Sequence, residues 1–168
     1  MTIQWELIRQ KVAELRRKYH LDEPPFNLFE IANGEGFKVI FFTPTEETYS
    51  VSGILEKEKK IIYLNVTESP ARKNFTLAHE LAHYFLDHSS NEYGVYRRDS
   101  FYAEKPEKEH EADYFAAELL MPKKLIDKTK KAYDLQDNDA PSLARLFGVS
   151  TSAMRYRLRE LSDEQKTK

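Results

Sequence analysis

The stretch of residues 71–88 contains neither glycine nor proline, and it includes two histidines four positions apart. Ser69 and Pro70 precede it in an arrangement that favours the start of a helix. We therefore predict one long helix on which His79 and His83 lie one turn apart on the same face. Two imidazoles in this relation can hold one metal ion. We therefore expect a fold in which this helix packs on a core and carries a metal site.

The residues 79–83 form the pattern HExxH. Zinc in catalytic sites takes three protein ligands and leaves one position for water. The side chain of Glu80 is rotated away from the histidines but can reach that water, which predicts that Glu80 is the general base. An isolated HExxH also arises by chance on solvated helices. Here Leu77, Leu81 and Phe85 form a separate apolar stripe that would bury the helix, and this favours the metal site.

Composition limits the possible ligands and partners. The chain of 168 residues has no cysteine, so disulfides and thiolate ligands are excluded. Its 26 basic and 28 acidic side chains give a net charge of -2, which provides no general attraction to nucleic acid or anionic lipid. No secretory signal and no apolar run of membrane-spanning length is evident, so we predict a cytoplasmic protein without a membrane partner.

A second helix, predicted from Glu107 to Leu120, offers the third ligand. Glu109 and Asp113 share a face with two alanines, whose small side chains allow close approach to the histidine helix. We predict that Glu109 binds the metal and that Asp113 orients a ligand imidazole. Glu111 lies about 200° around the helix from Glu109, so it is the less favoured ligand and should form a structural hydrogen bond or salt bridge. Each acid could instead be a solvated surface charge.

The predicted fold class is α+β: a mostly helical metalloprotease core with a small antiparallel sheet and a C-terminal helix-turn-helix-like region. Strands are predicted at residues 38–42, 52–55 and 60–64, the last two as a hairpin, and residues 89–106 as a long loop. The predicted units are a metalloprotease domain (1–122), the helix-turn-helix-like region (123–161) and a flexible tail (162–168).

The C-terminal region has a helix-turn-helix pattern around Ser142–Ser150. Four arginines there could contact DNA phosphates: Arg145, Arg155, Arg157 and Arg159. They could also form a solvated face around a buried apolar side, and the slightly negative net charge favours this second interpretation. Direct DNA binding is therefore possible but not favoured, and docking of a protein substrate is a third alternative.

The HExxH pattern is followed by a block at Glu109–Pro122 that resembles the ImmA/IrrE peptidases, which are marked by HExxH and a helix of the type ExxA[ND]xFAxxLLMP. The resemblance extends from about Val51 to the C-terminus. It implies a gluzincin-like zinc peptidase and agrees with Glu109 as a ligand. Asp113 stands where many relatives carry Asn, and Asp binds an imidazole N–H at least as well. Because characterised members cleave helix-turn-helix repressors of the XRE type, the resemblance also implies such a substrate and relief of repression.

Two other functions compete with proteolysis. One is a DNA-binding or partner-binding regulator with a vestigial metal site, and the other is a toxin-like protein whose pocket binds a small molecule. An intact Glu80 between the histidines favours hydrolysis over both. The oxyanion also needs a hydrogen-bond donor, and the sequence does not select one. The candidates are Tyr84, His88, Tyr93, Tyr96 and Tyr102.

Overall fold

The structure, a computed structural model, describes residues 4–88, 94–97 and 106–166. In these ranges the helices are α1 (Trp5–Lys18), α2 (Leu28–Gly34), α3 (Pro70–Phe85), α4 (Glu107–Leu120), α5 (Lys123–Tyr133), α6 (Ala140–Phe147) and α7 (Thr151–Lys166), and the strands are β1 (Lys38–Phe42), β2 (Val51–Glu56), β3 (Ile61–Asn65) and β4 (Gly94–Arg97). The predicted α+β class is confirmed. Among the described helices, none is both long and apolar enough to cross a bilayer.

The strands form one sheet in the order β1-β3-β2-β4. The predicted hairpin is confirmed, because β2 pairs antiparallel with β3 and Leu55 lies opposite Ile62. The prediction of an antiparallel sheet is wrong for β1, which runs parallel to β3 with Ile40 opposite Tyr63. Parallel pairing needs a long crossover, and residues 43–60, which include β2, supply it. The sheet is therefore mixed.

Two predicted boundaries also differ from the structure. Strand β4 pairs with β2 inside the region predicted as a long loop, because a strand of four residues is too short to show a clear alternation. Most of the remaining predicted loop lies outside the described residues. Helix α7 reaches Lys166, so it passes the end predicted near Leu161. The division into a protease domain, a helix-turn-helix-like region and a tail stays a prediction.

Helix α3 lies at the centre of the fold. The Ser69 hydroxyl accepts a hydrogen bond from the backbone N–H of Arg72 at 3.2 Å, and Pro70 occupies the first helical position. The helix packs against β2 and β3 on one side and against α4 on the other. As a result every residue of the segment 75–82 is buried. The HExxH pattern therefore starts inside the core rather than on a solvated surface.

The last two helices meet at a tight turn. Gly148 ends α6 with a left-handed φ of +66°, a conformation that glycine adopts without strain. The Ser150 hydroxyl then accepts from the backbone N–H of Ala153 at 3.1 Å and caps α7. Arg157 of α7 is fully buried, so the prediction that it could contact phosphates is wrong. The interpretation of this pair as helix-turn-helix-like stays a prediction.

Candidate metal centre

Helix α3 brings its two histidines together as the four-residue spacing requires. The Nε2 atoms of His79 and His83 are 3.0 Å apart, and the two rings meet edge to face. The His79 side chain is fully buried, whereas that of His83 is 12% exposed. Both coordinating nitrogens therefore point at one position, which is reached from the His83 side.

Glu109 of α4 completes this group. Its two carboxylate oxygens lie 3.2 Å from Nε2 of His79 and 3.4 Å from Nε2 of His83. Tetrahedral zinc with bonds of about 2.0–2.1 Å separates neighbouring ligand atoms by about 3.3 Å. The separations of 3.0, 3.2 and 3.4 Å lie near that value, with each histidine facing a different oxygen of Glu109. The donor set of two imidazoles and a carboxylate suits zinc. His79, His83 and Glu109 could hold a metal ion together.

Charge at the site also favours a cation. Burial lowers the pKa of His79, but hydrogen bonds to Asp113 and Glu109 outweigh it and raise that pKa to about 9. Burial and the neighbouring His79 lower the pKa of His83 to about 3. Burial would raise the pKa of the Glu109 carboxyl, yet its contact with His79 lowers it. Two carboxylates therefore contact the ring of His79, and they favour positive charge at this position.

Asp113 supports His79 from behind. Its Oδ1 lies 2.9 Å from Nδ1 of His79, on the side of the ring away from Glu109. Ala112 and Ala116, both fully buried, let α4 lie close to α3 at this level. A carboxylate in this position fixes the orientation of the ring and the proton on Nδ1.

His83 has a different supporting arrangement, which sequence reasoning missed. Its Nδ1 lies 2.9 Å from Nδ1 of His88, and Nε2 of His88 lies 3.0 Å from Oε2 of Glu111. Glu111 thus faces His88 rather than the metal position. His88 had been considered only as an oxyanion donor, and the structure places it behind His83 instead. The sequence feature that could have indicated this arrangement is the histidine just after the end of the HExxH helix.

Glu80 directly follows His79 on α3, about 100° around the helix, on the side that faces strand β2. Its side chain is fully buried beside strand β2. A Cβ atom placed on Gly53 would lie only 3.0 Å from Oε1 of Glu80. Of the tyrosines considered as oxyanion donors, Tyr84 packs its ring against Phe37 with the ring centroids 4.9 Å apart. Tyr93 and Tyr102 lie outside the described residues.

A cavity of about 160 Å³ lies among residues of α1, α3, α4 and α7. Its walls include Phe75 of α3, Trp5 of α1 and Tyr156 of α7, together with Asp113, which also contacts His79. The cavity is therefore adjacent to the candidate metal centre.

Comparisons with known proteins agree with this geometry. A family model described as the IrrE N-terminal-like domain matches residues 35–159. The chain is 24% identical over 137 residues to metallopeptidase ImmA of Bacillus subtilis, covering 80% of this chain and 76% of ImmA. It is 28% identical over 156 residues to the radiation response metalloprotease IrrE of Deinococcus deserti, covering 90% of this chain and 53% of IrrE.

A solved structure of a Mycobacterium tuberculosis transcriptional regulator is also similar, with a TM-score of 0.64. The sequences are 14% identical, and the match covers 91% of this chain and 46% of the regulator. At this identity the likeness shows a shared fold. The chain thus spans about half the length of IrrE and of the regulator.

Proposed function

Because the chain belongs to the IrrE N-terminal-like family of metallopeptidases, we propose that it is a zinc-dependent endopeptidase that cleaves a helix-turn-helix repressor of the XRE type. The observation that carries this proposal is the convergence of His79, His83 and Glu109 on one position. The substrate class is supported by the resemblance to ImmA/IrrE peptidases. A cytoplasmic location stays a prediction.

In this proposal each residue has a separate task. His79, His83 and Glu109 would hold zinc, which supplies Lewis-acid chemistry by acidifying a water molecule and polarising a carbonyl oxygen. Glu80 takes a proton from the attacking water and later delivers it to the leaving amine. Asp113 keeps the ring of His79 in place through Nδ1. Burial of Glu80 against β2 restricts its carboxylate to one position.

The metal itself is the first test. After loading with zinc and removal of excess metal, the purified protein should contain about one zinc ion per chain, because three converging ligands form one site. Elemental analysis by mass spectrometry gives this ratio directly. A ratio below about a tenth, with the protein folded, would contradict the metal site.

The cleavage assay uses a repressor of the XRE type as its substrate. Where the genome encodes such a repressor beside the gene for this chain, that repressor is used. The wild-type protein should produce discrete fragments, and Glu80→Gln should lower the rate at least ~100-fold while retaining zinc, because it removes the general base. Glu58→Gln, which alters an exposed carboxylate in the β2–β3 turn, should cleave as the wild type does. Equal rates for Glu80→Gln and the wild type would remove Glu80 from the mechanism.

A further inference from the structure

The turn that ends α3 places a third histidine, His88, against the HExxH pattern. Asp87 has a left-handed φ of 52°. Its backbone N–H donates to the carbonyl of Tyr84 at 3.2 Å, and that of His88 donates to the carbonyl of His83 at 3.0 Å. These two bonds form a Schellman motif, in which the second residue beyond the helix end folds back over the last turn. His88 therefore lies beside His83 for a local backbone reason.

From this turn a chain of hydrogen bonds runs away from the metal position. It consists of His83, His88 and Glu111, with Nδ1 to Nδ1 at 2.9 Å and Nε2 to Oε2 at 3.0 Å. The second carboxylate oxygen of Glu111 accepts from the backbone N–H of Gln4 at 3.3 Å. The His88 side chain is only 7% exposed, so water does not readily replace these contacts.

The chemistry of imidazole then fixes the protons along this chain. A neutral ring that offers Nε2 to a metal carries its proton on Nδ1. His83 must then donate from Nδ1, and the facing Nδ1 of His88 must accept. This leaves the proton of His88 on Nε2, where the carboxylate of Glu111 accepts it. With Nε2 of His83 directed at the metal position, this is the one arrangement of two neutral rings in which both contacts join a donor to an acceptor.

We propose that His88 and Glu111 are positioning residues that hold His83 in its metal-binding tautomer and orientation. Asp113 performs this task for His79 through a direct contact, whereas Glu111 acts on His83 through His88. The inference rests on the metal site of the proposed function. It assigns to Glu111 a role that neither a third ligand nor a purely structural carboxylate would have.

Zinc affinity, measured by competition with a chromogenic chelator, tests the proposal without a substrate. His88→Ala should weaken zinc binding about 10- to 100-fold, as is typical when a partner of a ligand histidine is lost. His88→Gln should recover most of the affinity, because its amide can both accept from His83 and donate to Glu111. His110→Ala is the matched control, since it removes an exposed histidine beside Glu109 and Glu111 without breaking the chain.

Nuclear magnetic resonance of the zinc-loaded protein tests the tautomers directly. Long-range nitrogen–proton spectra should show a proton on Nδ1 of His83 and on Nε2 of His88. Glu111→Ala should change the His88 signals and lower zinc affinity about 10-fold, while the melting temperature of the metal-free His88→Gln protein stays near that of the wild type.

The outcomes separate the two proposals. Wild-type zinc affinity in His88→Ala, or the opposite tautomer of His88, would overturn the positioning role. An equal loss of affinity in His110→Ala would also overturn it. A wild-type protein that binds no zinc would contradict the proposed function itself, whereas absence of cleavage with the hydrogen-bond chain intact would contradict only proteolysis.

Discussion

Two glutamates of α4, two positions apart, contact different histidines. Glu109 approaches Nε2 of His79 and of His83, and Glu111 approaches Nε2 of His88. Two residues along a helix rotate the side chain by about 200°, so the separation follows from helix geometry. Sequence reasoning placed both carboxylates on the corresponding faces. It did not identify the partner of Glu111, because His88 reaches it only through the turn at Asp87.

At the residue scale, Glu109→Ala should lower zinc affinity ~100-fold or more, because it removes one of the three proposed ligands and leaves two imidazoles. The loss should exceed that of Glu111→Ala. Chelator competition on folded protein measures both values. Glu107→Ala, which removes an exposed carboxylate from the same helical turn, serves as the control. The reverse order for Glu109 and Glu111 would mean that the wrong face of α4 holds the metal.

At the element scale, the sequence predicted best what local patterns encode. Helix α4 has the predicted bounds, and α3 starts one residue early and ends about three residues short, because its cap and its apolar spacing are local signals. The parallel pairing of β1 with β3 was missed because it depends on contacts across residues 43–60. The close approach of β2 to α3 was missed as well. A glycine in a strand can indicate that another element packs closely there, but it does not indicate which element.

That close approach makes Gly53 a contact point between the sheet and Glu80, the proposed general base. A Cβ atom there would lie 2.4 Å from Cγ2 of Thr76 and 3.0 Å from Oε1 of Glu80. Gly53→Ala should therefore destabilise the fold by roughly 1–3 kcal/mol, as overpacking does, and should slow cleavage by displacing Glu80. Chemical denaturation and the cleavage assay measure the two effects.

Thr76→Ser separates these effects, because it removes the Cγ2 atom and leaves Glu80 unchanged. Gly53→Ala should lower stability less in the Thr76→Ser background than in the wild-type background, but cleavage by the double variant should stay slow. If Gly53→Ala keeps wild-type stability and wild-type turnover, β2 does not constrain Glu80 as the geometry implies.

At the scale of the whole molecule, Arg157 joins the C-terminal helices to the helix that bears Glu109. Its guanidinium pairs with Glu118 of α4 and, at 2.5 Å, with Glu160 of α7. Its Nε also donates to the backbone carbonyl of Met121 at 3.2 Å. The arginine is therefore a structural link between α7 and α4, which explains why a residue predicted to be a surface cation is buried.

Loss of this link should be costly. Arg157→Ala leaves the carboxylate of Glu118, with its side chain 18% exposed, facing an unfilled space. Removing one partner of a buried ion pair typically costs about 3–5 kcal/mol. Denaturant unfolding should show that loss, whereas Arg155→Ala, which alters an exposed arginine two residues earlier on α7, should change stability by less than ~0.5 kcal/mol. Equal losses in both variants would contradict a specific link.

The burial of Arg157 also bears on whether the molecule binds DNA. Of the four arginines considered for phosphate contacts, three remain exposed: Arg145, Arg155 and Arg159. They belong to a chain with a net charge of -2, so no net positive charge draws it to a duplex. We expect only weak, salt-sensitive binding with a Kd no tighter than about 10⁻⁶ M at physiological salt, the range of non-specific complexes.

Fluorescence anisotropy across a salt series measures this, with Arg145→Ala/Arg155→Ala/Arg159→Ala as the comparison. Sub-micromolar, sequence-selective binding that this triple variant loses would favour a DNA-binding regulator over a peptidase that acts on the repressor alone, because selectivity requires contacts with bases as well as phosphates.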